Sequence, residues 1–239
     1  MTGPNSFTHR PYWWADTRFK PDCFSQSGPL PIKADVVIVG AGYTGLSAAL
    51  TLARAGRDVI VLDAERPGWG CSARNGGLLG PSFHKLGLKG LTQAYGKEKA
   101  QAIMVESLDC MRSLVSFVQE ENIDCELTMR GRYRGATHPK HYDTLARQVE
   151  TMQKELNLKA YMVSKADQHK EIGSELYHGG AVYEEDGTLQ PGLLVQGLLE
   201  RAVQAGARIF GGQKVIDVSG TEGDLTVQTE GESIKARDV

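Results

Sequence analysis

The stretch that decides the fold is Asp35-Val36-Val37-Ile38-Val39-Gly40-Ala41-Gly42-Tyr43-Thr44-Gly45, continued by Leu46 to Gly56 and closed by Val59-Ile60-Val61-Leu62-Asp63. Val36 to Val39 is a β-branched run with no polar alternation, the pattern of a parallel strand buried on both faces. From Tyr43 to Ala55 apolar and small residues recur at helical spacing, and Gly56 closes that helix. Val59 to Leu62 then form a second buried strand, so the segment reads as a βαβ unit.

The turn after the first strand has the spacing Gly40-x-Gly42-x-x-Gly45, which binds dinucleotides when it follows a strand and opens a helix. Gly40 permits the tight turn, Gly42 lets the backbone approach a pyrophosphate, and Gly45 lets the helix pack close to the strand. The diphosphate then meets free N–H groups at the positive end of a helix. Asp63 lies 18 residues beyond Gly45, at a strand end where a carboxylate accepts hydrogen bonds from a ribose diol and repels a 2′-phosphate. A glycine-rich turn without a ligand is the competing explanation, and the register of strand, glycines, helix and acid weighs against it. NAD and FAD domains share this unit. A second glycine-dense loop, Pro67 to Gly77, follows within a few residues and offers backbone donors and the cation of Arg74 to the same diphosphate. That loop disfavours a purely NAD-dependent dehydrogenase.

With GAGYTGLSAALTLARAG, VLDAERPGWG and SARNGG as they stand here, residues 34–77 resemble FAD-dependent oxidoreductases of the D-amino-acid oxidase superfamily. The resemblance is greatest to the branch with γ-glutamylputrescine oxidase and more distant to glycine and sarcosine oxidases. Residues 187–210, GTLQPGLLVQGLLERAVQAGARIF, and the extended runs after them resemble the corresponding part of that family's FAD domain. The resemblance implies FAD as cofactor, with Gly40, Ala41, Gly42 and Gly45 on its diphosphate and Asp63 and Ala64 on the adenosine ribose. Cys71 and Ser72 would lie along the diphosphate, Asn75, Gly76, Gly77 and Leu78 would reach toward the flavin ring, and Val215 would meet the adenine through its backbone. Asp63 stands where the family more usually has glutamate, and Cys71 where a small residue or a hydroxyl is expected; a buried small thiol is favoured over a covalent flavin anchor. The implied reaction is oxidation of a C–N bond in a small amine or amino acid by hydride transfer to flavin, with oxygen as acceptor. Two alternatives stand beside it: a flavin dehydrogenase with another acceptor, and a truncated, non-catalytic fragment. The latter arises because much of the family's substrate domain and a final flavin-contacting motif have no counterpart before Val239.

The remaining pattern extends the α/β reading. Residues 1–33, with Pro4, Pro11, Pro21, Pro29 and Pro31, form an irregular arm whose Tyr12, Trp13 and Trp14 are expected to pack back on the body; a wall at a substrate entrance is the less favoured role. Lys97 to Glu121 reads as a long amphipathic helix with Ala100, Ile103, Met104, Leu108, Met111, Leu114, Val115 and Val118 on its core face. Cys125 to Ala136 looks extended, His141 to Leu156 helical and Ala160 to Val163 extended, with Ser164 as the N-cap of a short helix. Pro191 opens a helix through Ala205, Ala207 to Phe210 is a strand, and Lys214–Ser219, Leu225–Thr229 and Ser233–Val239 read as an antiparallel meander. The expected fold is a Rossmann-type FAD-binding domain, residues 34–90 and 180–239, incomplete at its C-terminal side. An incomplete α+β substrate-binding layer, residues 91–179, is inserted into it.

Composition bounds the rest. At 41% hydrophobic and 23% charged residues the chain is an ordinary globular sequence, and a net charge of −2 provides no field to gather phosphates, so nucleic acid is not an expected partner. No run approaches the roughly 18 apolar residues of a membrane span, no secretory signal is visible at the N-terminus, and a cytoplasmic location is expected. Cys23, Cys71, Cys110 and Cys125 show no metal or disulfide spacing, and His138 and His141 lack further ligands, so no metal is expected. His84, just past the glycine loop, could accept a proton near the flavin, though a plain loop hydrogen bond is favoured. Arg130, Arg132 and Arg134 alternate along an extended run; they could clamp a carboxylate, but a solvated strand face is favoured.

Overall fold

A computed structural model of the protein describes residues 9–16, 18–81 and 86–239. In chain order the elements are β1 (Lys33–Val39), α1 (Tyr43–Arg54), β2 (Val59–Leu62), β3 (Leu78–Leu79), α2 (Gly87–Tyr95), α3 (Lys97–Glu120), β4 (Arg132–Gly135), α4 (Pro139–Leu156), β5 (Ala160–Val163), β6 (Gly180–Tyr183), β7 (Gly187–Thr188), α5 (Pro191–Gln204), β8 (Arg208–Phe210), β9 (Val215–Thr221), β10 (Asp224–Thr229) and β11 (Ser233–Asp238). They belong to two compact units.

The first unit comprises the chain up to Gly76, Glu121–Cys125 and Gln190–Val239. Its sheet has the order β8-β2-β1-β11-β10-β9. The first four strands run parallel, with Val36 beside Val59 and Ile60 beside Arg208, and the last three form the antiparallel meander. β11 serves both halves, placing Lys235 beside Lys33 of β1 and Ala236 beside Leu225 of β10. Every side chain of β2 is buried, as a continuous apolar run in a parallel sheet requires. Val37, Ile60, Leu62, Phe210, Val227 and Ile234 form the sheet's core. Gln190 caps α5 by accepting the Leu193 N–H at 2.9 Å, and Pro191 at the first helical position gives up no bond.

The arm is tied down by one tryptophan more than the others. Trp14 is 6% exposed, stacked on Phe19 and edge-on to Trp69, whereas Tyr12 is 80% exposed. Trp13 is held by a hydrogen bond from its Nε1 to the Asn75 carbonyl at 2.8 Å.

The second unit comprises Gly77–Glu120 and Glu126–Leu189. Antiparallel strands in the order β4-β6-β5 pack with α4, and β3 pairs with β7 in a short ribbon. Leu91, Met104, Leu108, Leu145, Val149 and Tyr183 are central to its own core. As compact units the borders therefore fall at Gly76 and Leu189 rather than at residues 90 and 180, because β7 pairs with β3 and β6 with β4 and β5.

Two local expectations shift. The extended run from Cys125 shrinks to Arg132–Gly135, since Glu126 (φ 55°) and Gly131 (φ 79°) turn the backbone out of the strand region. The Ser164 hydroxyl does accept the Asp167 N–H at 3.2 Å, but it closes a turn ahead of the one-turn helix Gln168–Lys170.

Candidate cofactor site

The site residues of the first unit gather around the N-terminus of α1. Gly40 has φ of +102°, a conformation open to glycine at little cost. A Cβ on Gly45 would lie 1.9 Å from the Gly40 carbonyl oxygen and 3.2 Å from Ile38 Cγ2, so only glycine lets α1 sit against β1. A Cβ on Gly42 would stand 2.9 Å from Ser72 Oγ, which places the second glycine loop directly over the first. The Ser72 hydroxyl accepts the Tyr43 N–H at 3.0 Å. Among the described residues, the N–H groups of Gly42, Thr44 and Gly45 have no protein acceptor. Helix starts leave such donors orphaned, and here they point to an anion-sized requirement beside the glycine turn.

Asp63 sits at the end of β2. Its Oδ2 accepts the Ala41 N–H at 2.7 Å and its Oδ1 the Glu65 N–H at 2.9 Å, which leaves lone pairs on both oxygens for a further donor. Ala64 follows, exposed. The Asp63 carbonyl accepts the Gln213 N–H at 2.7 Å, bringing the loop that leads to Val215 across the end of β2. Val215 opens β9 opposite Thr229.

The second loop is arranged by its own side chains and by the arm. Cys71 and Ser72 lie in the one-turn helix Cys71–Ala73, and Cys71, in no disulfide, is exposed rather than the buried thiol expected, because the short helix turns its first residue outward. Asn75 Nδ2 donates to the carbonyls of Cys71 (3.2 Å) and Ser72 (3.0 Å). Arg74 turns its guanidinium over the Trp69 ring, 4.6 Å from the centroid, and donates to the carbonyls of Trp69 and His9. Gly76 is exposed at the end of the loop. Gly77 and Leu78 belong to the second unit: the Gly77 carbonyl accepts the Leu189 N–H at 2.9 Å, and Leu78, 75% exposed, pairs with Thr188 in the ribbon. His84 lies outside the described residues. Of the three alternating arginines, Arg130 precedes the strand, and Arg132 is paired with the buried Asp186 at 2.7 Å instead of being free for a ligand.

One participant is absent from the motif reading. Tyr43 occupies a position that the glycine spacing leaves open, yet its hydroxyl donates to the Pro191 carbonyl at 3.2 Å. Burial pushes this hydroxyl's pKa up. The available signal was the residue type itself, a large phenol where any side chain would do.

Strand, glycine turn, helix start and acidic strand end in this arrangement define a dinucleotide-binding domain of Rossmann type. Residues 35–239 match the family described as DAO, FAD dependent oxidoreductase, and the chain belongs to that family, whose cofactor is FAD. It is 33% identical to the gamma-glutamylputrescine oxidoreductase of Escherichia coli over 182 residues, covering 75% of this chain and 42% of that protein. It is 31% identical to the probable oxidoreductase OrdL of Haemophilus influenzae over 209 residues, covering 86% of this chain and 48% of the relative. Among solved structures, glycine oxidase from Geobacillus kaustophilus superposes with a TM-score of 0.70 at 23% identity, covering 87% of this chain and 54% of that one. L-amino acid deaminase from Proteus vulgaris gives 0.68 at 20%, covering 89% and 48%. These two show the shared fold. The chain spans about half the length of the relatives it matches. No helix among the described residues is long and apolar enough to cross a membrane.

Proposed function

We propose that this chain is the FAD-binding portion of an oxidoreductase that oxidises a C–N bond of a small amine or amino acid. The observation that carries the proposal is the set of N–H groups of Gly42, Thr44 and Gly45 at the start of α1, without an acceptor among the described residues, with Asp63 at the neighbouring strand end. In this reading Gly40, Ala41, Gly42 and Gly45 line the diphosphate, with Cys71, Ser72 and Arg74 along it. Asp63 and Ala64 hold the ribose, and Val215 meets the adenine through its backbone. Asn75, Gly76, Gly77 and Leu78 carry the flavin side, and residues 91–179 form the substrate layer. FAD, when bound, supplies the two-electron acceptor for the C–N bond. The chain's own part is to bind the anion with backbone donors at a positive helix end, to orient the ribose through the Asp63 carboxylate, and to hold the second loop over the first through Ser72. The names of the relatives, an amine oxidoreductase and amino-acid oxidases, support the substrate class. Oxygen is proposed as the final acceptor, and peroxide release during turnover would separate it from another acceptor.

The test is a visible absorption spectrum of the purified protein before and after addition of FAD and removal of the excess, with Gly42→Val alongside. Flavin bands retained by the wild type and lost in Gly42→Val are the expected result. Equal retention by Gly42→Val would refute the assignment of this loop.

A further inference from the structure

The loop from Trp69 to Gly76 lies over the start of α1, where Ser72 Oγ accepts the Tyr43 N–H at 3.0 Å and a Cβ on Gly42 would stand 2.9 Å from the same oxygen. Such a loop is costly to hold in one shape. Gly70 and Gly76 lie in it and Gly68 precedes it, glycine loses more backbone freedom on ordering than any other residue, and the regular structure amounts to the three residues Cys71–Ala73. The bonds from Asn75 Nδ2 to the carbonyls of Cys71 and Ser72, and from the Arg74 N–H to the Cys71 carbonyl, shape the turn from within.

Beyond Ser72, two further ties come from the N-terminal arm, and they fall on adjacent loop residues. Trp13 Nε1 donates to the Asn75 carbonyl at 2.8 Å, and the Arg74 guanidinium donates back to the His9 carbonyl at 2.9 Å. The two bonds run in opposite directions between the same two segments, 62 and 65 residues apart in the chain. Arg74 is aimed by its own loop, since its Nε donates to the Trp69 carbonyl at 2.8 Å while its guanidinium covers the Trp69 ring. The arm has a fixed base. Trp14 is buried, stacked on Phe19 and edge-on to Trp69, and the Trp13 carbonyl accepts Gln190 Nε2 at 3.4 Å. A Cβ on Gly192 would stand 3.3 Å from Trp13 Cβ, so the arm rests on the first turn of α5. A phenylalanine at position 13 would pack there equally well; the N–H aimed at Asn75 is what the indole adds. Both arm–loop bonds are exposed to solvent, which keeps each of them weak.

We propose that Trp13 is a cofactor-positioning residue: through its indole N–H the arm latches the loop from Trp69 to Gly76 over the N-terminus of α1, and the Arg74–His9 bond is the second half of the same latch. The proposal rests on the FAD reading of the glycine turn. A latch of two weak bonds opens readily in the free protein and closes over the bound cofactor, so removing one bond lowers affinity through the fraction of molecules in which the loop is in place. Two bonds that close one contact act as a unit rather than as independent contributors.

The experiment compares the wild type with Trp13→Phe, Arg74→Ala and the pair, and with Tyr12→Phe, a change in the neighbouring, 80% exposed ring that makes neither bond. FAD affinity is read by titration of the apoprotein, and FAD release and amide exchange at residues 69–76 are followed in the loaded protein. The urea midpoint of the apoprotein is recorded for each variant. Trp13→Phe keeps an aromatic ring and removes one donor, so the apoprotein remains folded. The expected result for Trp13→Phe is FAD binding weakened by about fivefold, the equivalent of one net hydrogen bond, with faster release, faster exchange in the loop and a urea midpoint close to that of the wild type. Tyr12→Phe should match the wild type, and Arg74→Ala should cost less affinity in the Trp13→Phe background than by itself. A lowered urea midpoint with wild-type affinity and loop exchange would make Trp13 a plain anchor and overturn the proposal, as would strictly additive losses in the pair. Gly42→Val separates this from the underlying reading: if it abolishes FAD binding while Trp13→Phe binds normally, only the role of Trp13 falls, whereas normal binding by Gly42→Val, or none by the wild type, overturns both.

Discussion

Three glycines of one motif answer to different physical demands, and substitution should separate them. Gly40 needs its positive φ but has open space where a Cβ would go, so Gly40→Ala should cost only the left-handed backbone penalty, about 1–2 kcal/mol. Gly45 has ordinary backbone angles but no room, because the obstructing atom is a backbone carbonyl that cannot swing aside. Gly45→Ala should therefore cost more, about 3 kcal/mol, by forcing α1 off β1. Urea unfolding of the two variants checks the order; a Gly45→Ala protein as stable as the wild type would mean that α1 does not sit this close. Gly42→Val differs again, since the nearest atom is a movable hydroxyl, and its loss should appear in cofactor retention more than in stability. These roles were legible in the sequence because each follows from spacing alone. The bond from the Tyr43 hydroxyl to the Pro191 carbonyl was not, because it joins segments 148 residues apart whose meeting no local pattern announces.

Among the elements, the β-branched runs and the proline- and glycine-bounded helices were readable within a residue or so: α5 runs from Pro191 and β2 from Val59 as their patterns require. What escaped were elements too short or too irregular to show a period. α2, Gly87–Tyr95, carries two glycines in nine residues and buries only Leu91, so no apolar stripe announces it. The two-residue β3 and β7 exist only through each other. β4 also owes its setting to a distant partner, the carboxylate of Asp186, whose side chain is 2% exposed and bonded to Arg132. Burial pushes this carboxyl up, with Arg132 opposing by charge and hydrogen bond. A carboxyl raised in the folded state binds its proton more tightly there, so its favourable contribution is complete below the ordinary carboxylate range and is lost as pH rises through the raised value. Arg132→Gln removes the opposing cation and leaves an unpaired buried charge at neutral pH. The expected cost is about 2 kcal/mol at pH 7, discounted because Arg132 itself is partly exposed, and it should shrink on acidification as Asp186 takes up a proton. Denaturation curves for the variant and wild type at several pH values decide this; a pH-independent difference would show that the pair is not the cause.

At the scale of the molecule, the two units have separate hydrophobic clusters, and the proposed ligand bonds to backbone groups of the first. Saturation with a ligand that binds only the folded state, at a hundred times its dissociation constant, adds about 2.7 kcal/mol. FAD should accordingly raise the unfolding temperature, and amide exchange should slow most in residues 40–46 and 68–76. Uniform protection of the meander and the helices, without a maximum at the glycine loops, would argue for another binding place. Composition and charge spoke only to the class of protein at this scale. The nucleotide-binding half was visible as a pattern, but the line where the second unit begins depends on strand pairings between segments over 100 residues apart.

The dual pairing of β11 also sets a timetable. β1 and β2 are adjacent in sequence and can associate early, but the other edge of β1 waits for a strand that begins at Ser233. At ribosomal rates of about 5–20 residues per second, the intervening chain takes roughly ten to thirty seconds to emerge. Throughout that interval a β-branched strand edge has no native neighbour, and unpaired edges of this kind invite association with other chains. Newly made protein is thus most exposed to aggregation after its nucleotide turn has been synthesised and before β11 has, a window in which a chaperone's protection would matter most.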